Sequence, residues 1–72
     1  MAERVMSATQ ELLLAQKIAG DLELIPWWKR MMSHLTPLGY AYVNGEPRKY
    51  YRYVNGRYYY RRVAECELHR RH

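Results

Sequence analysis

A repeated six-residue pattern in the second half of the chain restricts the fold more than any other feature. Tyr-Ala-Tyr-Val-Asn-Gly at residues 40–45 returns as Tyr-Arg-Tyr-Val-Asn-Gly at residues 51–56. Alternating aromatic and β-branched residues favour strands, and Asn-Gly between two such runs is the strongest short-range signal of a β-hairpin. The pattern predicts a three-stranded antiparallel meander, with strands at residues 39–43, 48–54 and 57 to about 68.

The N-terminal half carries the apolar spacing of helices. Such residues recur at helical intervals between residues 8 and 19, where Ser7 can cap the start and Gly20 can close the end. Pro26 opens a second, shorter stretch that ends before residues 36–37. We therefore predict an α+β fold in which two N-terminal helices pack on one face of the three-stranded antiparallel β-meander.

The distribution of charged side chains changes at the same point in the chain as the predicted secondary structure. Residues 1–38 carry four basic and four acidic side chains, whereas residues 39–72 carry eight basic and three acidic side chains and all eight tyrosines. We expect a single small domain of 72 residues, with a helical half at 7–36, a basic Tyr/Arg-rich sheet at 39–68 and a basic tail at 69–72. The whole net charge of +5 lies in the predicted sheet and tail, which favours a polyanionic partner.

The turn at residues 55–56 decides which side chains share a face of the predicted sheet. A two-residue turn places Tyr53 opposite Tyr58 and Arg52 opposite Tyr59. One face then carries six tyrosines and the other carries four arginines. Because buried guanidinium groups need matching carboxylates, and few are present, we expect the arginine face to be exposed. Its candidate binding residues are Arg48, Tyr50, Arg52, Arg57, Tyr59 and Arg61.

An exposed Arg/Tyr face predicts binding to nucleic acid. Guanidinium groups donate paired hydrogen bonds to phosphate, and neighbouring phenol rings stack on bases. We therefore expect a small nucleic-acid-binding protein, with duplex DNA favoured over RNA. The alternative is a protein-binding inhibitor, adaptor or accessory subunit of a phage, mobile-element or nucleic-acid-processing assembly, because Tyr and Arg also anchor protein interfaces. In general layout the expected sheet resembles the three-stranded arm-binding domains at the front of some tyrosine recombinases, a likeness of fold alone.

Catalytic and metal-binding patterns are weak. The sequence shows no nucleophile–base pattern and no glycine-rich phosphate loop, so no enzyme activity and no cofactor are predicted. Cys66, His69 and His72 are spaced like possible zinc ligands, but the single thiol and the missing C-x-x-C pair argue against a metal site.

Membrane insertion and secretion are also not expected. No apolar run reaches the roughly 18 residues of a membrane span, and the N-terminal residues lack an apolar signal region. One cysteine fits a reducing compartment, so we predict a cytoplasmic protein. The Trp27-Trp28 pair is expected in the core, with contact to a lipid interface as the weaker alternative. An exposed third strand leaves homodimerisation by edge-strand pairing open.

Overall fold

A four-stranded mixed sheet forms the centre of the protein, whose computed structural model describes residues 7–69. The strands are β1 (Gly20–Asp21), β2 (Leu35–Val43), β3 (Glu46–Tyr53) and β4 (Tyr58–Arg62). The helices are α1 (Ala8–Ile18), α2 (Trp28–Met31) and α3 (Glu65–His69), with 3₁₀ turns at Leu22–Leu24 and Met32–His34. The sheet order is β1-β4-β3-β2, with β1 parallel to β4 and the other pairs antiparallel. The predicted three-stranded antiparallel meander under two N-terminal helices is therefore wrong.

Helix α1 begins as the sequence predicts. Ser7 Oγ accepts a hydrogen bond from the Gln10 backbone N–H at 3.1 Å, and Gln10 Oε1 accepts one from the Ser7 N–H at 3.1 Å. These reciprocal bonds satisfy two donors that a helix start otherwise leaves unpaired. The other end differs from expectation, because Ala19 is extended and Gly20 becomes the first residue of β1 rather than a left-handed helix cap.

The second predicted helix is much shorter than expected. Helix α2 has four residues and is followed by a 3₁₀ turn, so β2 starts at Leu35 and runs through Pro37. A proline is tolerated there because β2 lies at the edge of the sheet. The β2–β3 ladder shifts register between Pro37 and Gly39, where Gly39 has a φ of 146°. A Cβ at Gly39 would lie 3.2 Å from Leu12 Cδ2, so the glycine lets α1 approach the sheet closely.

The two Asn-Gly sequences form different turns. Asn44 and Gly45 both have positive φ, and Val43 pairs with Glu46, which makes the two-residue turn that twisted hairpins favour. In the second hairpin the Tyr53 N–H donates to the Arg57 carbonyl at 2.8 Å, so the loop has three residues, 54–56. Gly56 alone has positive φ in that loop. The extra loop residue moves β4 by one position relative to the predicted register.

This shift exchanges the two faces of β4. In-register partners share a face of a sheet, and the pairs Arg48–Arg62, Tyr50–Tyr60 and Arg52–Tyr58 lie on one side. We call this side the helix face, because Glu11 and Leu12 of α1 contact it. The pairs Lys49–Arg61 and Tyr51–Tyr59 lie on the opposite side, which we call the far face.

The far face is covered as well, by residues 22–34, which we call the crossing segment. These residues leave β1 at one edge of the sheet and enter β2 at the other, so they must cross it. The His34 ring meets the Tyr53 ring edge-on at 6.3 Å on the far face. Cover on both faces explains why the adjacent residues Tyr50 and Tyr51 of the central strand β3 are both buried. The other buried core residues are Ala15, Leu22 and Met31.

The third predicted strand ends early. Strand β4 stops at Arg62, and the residues predicted to extend it form α3 instead. Its outer edge is not free, because β1 pairs with Tyr59 and Tyr60. Among residues 7–69, the two edge strands of the sheet are β1 and β2. No helix in this range is both long and apolar enough to cross a membrane.

Candidate nucleic-acid interface

The structure separates the six predicted binding residues into two groups. Arg48, Tyr50 and Arg52 lie on the helix face. Tyr59 and Arg61 lie on the far face, and alternation places Arg57 there too. Tyr50 is 0% exposed beneath α1. The predicted common arginine face is therefore wrong, since the three-residue loop divides its members between both sides of the sheet.

Arg52 binds a carboxylate of α1, although 41% of its side chain stays exposed. Glu11, in the first turn of α1, accepts hydrogen bonds from Arg52 Nη1 and from the Tyr58 hydroxyl, the latter at 3.0 Å. The Arg52 hydrogen bond lowers the pKa of Glu11 below its ordinary value of 4.5, with help from Tyr58, although partial burial opposes the shift. Glu11 thus supplies the counter-charge that lets an arginine face the helix.

A second carboxylate joins two arginines across the helix face. Glu46 accepts from Arg48 Nε at 2.8 Å and from Arg62 Nε at 2.9 Å. The other side of Arg62 contacts Asp21, with Nη1 to Oδ2 at 3.0 Å. The Arg48 guanidinium also lies 4.1 Å above the centre of the Tyr60 ring, a cation–π distance. With Glu11, Arg52 and the more distant Glu23, these charged residues form what we call the helix-face network.

The Glu11 contact predicts how stability depends on pH. Because the folded pKa of Glu11 is depressed, its stabilisation is fully present above the unfolded pKa near 4.5 and is lost as pH falls through the lower folded value. Glu11→Gln has no carboxylate to protonate, so we expect its urea midpoint to fall less than that of the wild type between about pH 6 and about pH 3. Parallel urea titrations measure this difference. Equal losses in both proteins would contradict the assignment.

Cations outside the network form no ion pair within residues 7–69. They are Lys17 on α1, Lys29 and Arg30 on α2, and Lys49, Arg57 and Arg61 of the second hairpin. Lys49 Nζ lies 5.4 Å from the Tyr40 ring centre and 5.5 Å from that of Tyr51. These aromatic contacts hold Lys49 on the far face without neutralising its charge.

An open cleft lies beside the start of β4, and aromatic contacts lie on the far face. Arg57 is exposed and lines a cleft of about 360 Å³ with Ile18, Gly20 and residues 56–59. The Tyr53 ring meets the Tyr59 ring edge-on at 6.3 Å. The one-residue shift of β4 pairs Lys49 with Arg61, a pairing that the local sequence does not signal.

Helix α3 covers the opposite end of the far face. The Tyr42 hydroxyl donates to Glu65 Oε2 at 2.8 Å, and the Tyr40 hydroxyl donates to Glu67 Oε2 at 3.3 Å. The side chain of His69 and all of His72 lie outside what the structure describes. Within the described part of the chain, no three His, Cys, Asp or Glu side chains are grouped to hold a metal ion. No protein-family model, curated protein or solved structure matches the chain.

Proposed function

We propose that the protein is a non-enzymatic nucleic-acid-binding protein that contacts backbone phosphates, with duplex DNA favoured over RNA. The contact surface consists of far-face cations and neighbouring cations of the crossing segment. This surface replaces the arginine face expected from the sequence. Its members are Lys29, Arg30, Lys49, Arg57 and Arg61.

The division of charge supports this proposal. Residues 7–69 contain nine basic and six acidic side chains. The helix-face network pairs three of those arginines with four carboxylates. Six basic side chains therefore remain with only Glu65 and Glu67. Without Lys17, which lies on α1 at the helix side of the sheet, the other five leave an excess of three positive charges. Cations without carboxylate partners attract a polyanion, and binding releases its condensed counterions.

The ring contacts favour phosphate recognition in a duplex over base stacking with a single strand. Stacking needs the open face of an aromatic ring. The Tyr53 ring already meets His34 and Tyr59, and the Tyr40 and Tyr51 rings have Lys49 above them. Duplex binding through phosphates requires only the cations.

Salt dependence of duplex binding tests the proposal. We expect the logarithm of the association constant for a random DNA duplex to fall with log salt with a slope of roughly −3 or steeper, since each neutralised phosphate contributes about −0.9. Arg57→Gln should weaken binding several-fold and make the slope shallower by about 1. Fluorescence anisotropy at several salt concentrations, with duplex RNA and single strands alongside, gives both quantities.

Lys17→Gln provides the matched control. Like Arg57→Gln, it removes one positive charge, but from an exposed position of α1 on the helix side of the sheet. It should therefore change the affinity and the salt slope much less. Equal effects of Lys17→Gln and Arg57→Gln would show attraction by net charge without a defined surface. A salt-independent affinity would contradict the proposal.

One observation favours a protein partner as the second candidate. Leu24 is 79% exposed and Trp27 is 52% exposed in the crossing segment, and exposed large apolar groups are typical of protein-binding sites. A complex formed there would persist at high salt and weaken with Trp27→Ala but not with Arg57→Gln. The same two variants therefore distinguish the two candidate functions.

A further inference from the structure

Two cation pairs lie next to each other in the second hairpin, on opposite faces. Arg48 and Arg62 are in register on the helix face, and Lys49 and Arg61 are in register on the far face. Like charges directly opposite each other in a sheet repel and destabilise it. Each pair therefore gains from an anion placed between its members.

The helix-face pair has such an anion. The two carboxylate oxygens of Glu46 bind Arg48 and Arg62 at 2.8 and 2.9 Å. One anion with two oxygens thus bridges two cations from adjacent strands. A cross-strand cation pair in this sheet can therefore be bridged by one anion that offers two oxygen acceptors.

The far-face pair lacks this bridge within the described residues. Neither Lys49 nor Arg61 forms an ion pair there, and the buried Arg61 Nε has no hydrogen-bond acceptor. Burial disfavours the charged form of Arg61, but the Tyr51 hydroxyl and more distant carboxylates, including Glu67, outweigh it and raise the Arg61 pKa. Arg61 thus stays a cation although no carboxylate binds it directly.

We propose that Lys49 and Arg61 form a binding subsite for one phosphate group, as the open counterpart of the Glu46 bridge. Two phosphate oxygens can accept from two cations as a carboxylate does. A recess of about 340 Å³ opens on the β2 side of Lys49 and is lined by Tyr40 and residues 37–39, so a ligand can approach the Lys49 member of the pair from the sheet edge. If the proposed function is correct, the phosphate belongs to a nucleic-acid backbone. This inference rests on the proposed function only for the source of the phosphate.

Inorganic phosphate tests the subsite directly. Titration at constant ionic strength, with chloride as the reference anion, should shift the Arg61 Nε–Hε NMR signal saturably, with a dissociation constant on the order of 1–10 mM. Lys49→Gln should weaken this binding about tenfold, because it removes one of the two cations. Lys17→Gln, which removes an exposed cation of α1 outside the proposed contact surface, should leave it unchanged. An unmoved Arg61 signal, or equal binding by Lys49→Gln, would overturn the subsite.

Duplex binding by the same proteins separates this inference from the proposed function. If phosphate saturates Arg61 but no duplex binds, the subsite stands as a site for a small phosphate compound and the proposed function fails. If the duplex binds equally to the wild type and to Lys49→Gln while phosphate leaves Arg61 unmoved, the subsite fails and the proposed function stands. Phosphate saturation combined with weaker duplex binding by Lys49→Gln would support both.

Discussion

Replacing Tyr50 by alanine is expected to lower the free energy of unfolding by about 3–5 kcal/mol, the usual cost of deleting a buried aromatic side chain. Tyr50 is 0% exposed on the central strand β3, beneath α1. Its ring packs against the Tyr60 ring at 5.8 Å. A domain of this size has few other large side chains to close the resulting cavity. Urea unfolding measures the loss.

Two control variants distinguish the effect of removing a buried ring from the effects of removing an exposed ring or the hydroxyl alone. Tyr42→Ala removes the same side chain where it is 47% exposed and should cost less than about 1 kcal/mol. Tyr50→Phe should change stability little, since within residues 7–69 the buried Tyr50 hydroxyl forms no hydrogen bond of good geometry, although it lies near enough to the Arg48 guanidinium to help raise the Arg48 pKa. A small effect of Tyr50→Ala would contradict the register that places this ring under the helix.

Leu22→Ala is expected to cost about 2–5 kcal/mol, as buried leucines do. Leu22 is 0% exposed in the 3₁₀ turn that contacts β4, and it begins the crossing segment over the far face. Leu24→Ala is the matched control, because Leu24 ends the same turn at 79% exposure and should have an effect within about 0.5 kcal/mol. Thermal or urea unfolding compares the two. Equal effects would mean that the crossing segment does not pack on the sheet.

Local sequence signals predicted the parts of the fold that depend on neighbouring residues. The capping box of α1 and the turn at residues 44–45 both follow from side chains within a few positions of each other. The sequence does not predict strand β1, because Gly20 and Asp21 have no strand preference of their own. They extend only because β4 lies beside them. Helix α2 was overestimated because its apolar spacing continues into residues that form β2.

The register of the second hairpin depends on distant contacts. An Asn-Gly sequence fits a two-residue or a three-residue loop, so the local pattern could not choose between them. The observed loop brings Arg52 and Tyr58 together beneath Glu11, which lies 41 and 47 residues away from them in sequence. The faces of β4 therefore follow from a tertiary contact with α1.

Counting carboxylates led to the wrong exposed face. The predicted sheet itself contains few acidic residues, but α1 and β1 contribute others. Glu11 and Asp21 come from outside the three predicted strands, and Glu46 serves two arginines at once. Three arginines can thus lie on the helix side of the sheet. Of the four arginines expected on one exposed face, Arg57 and Arg61 have no ion-pair partner within residues 7–69.

We propose that the register of β4 divides the arginines into a structural set and a binding set. The Nε–Hε NMR signals of the arginines, recorded while a DNA duplex is added, test this division. We predict that the signals of Arg57 and Arg61 shift or broaden, while those of Arg48, Arg52 and Arg62 stay in place because their carboxylates hold them. Shifts at Arg48 and Arg52 with Arg57 and Arg61 unmoved would overturn the division.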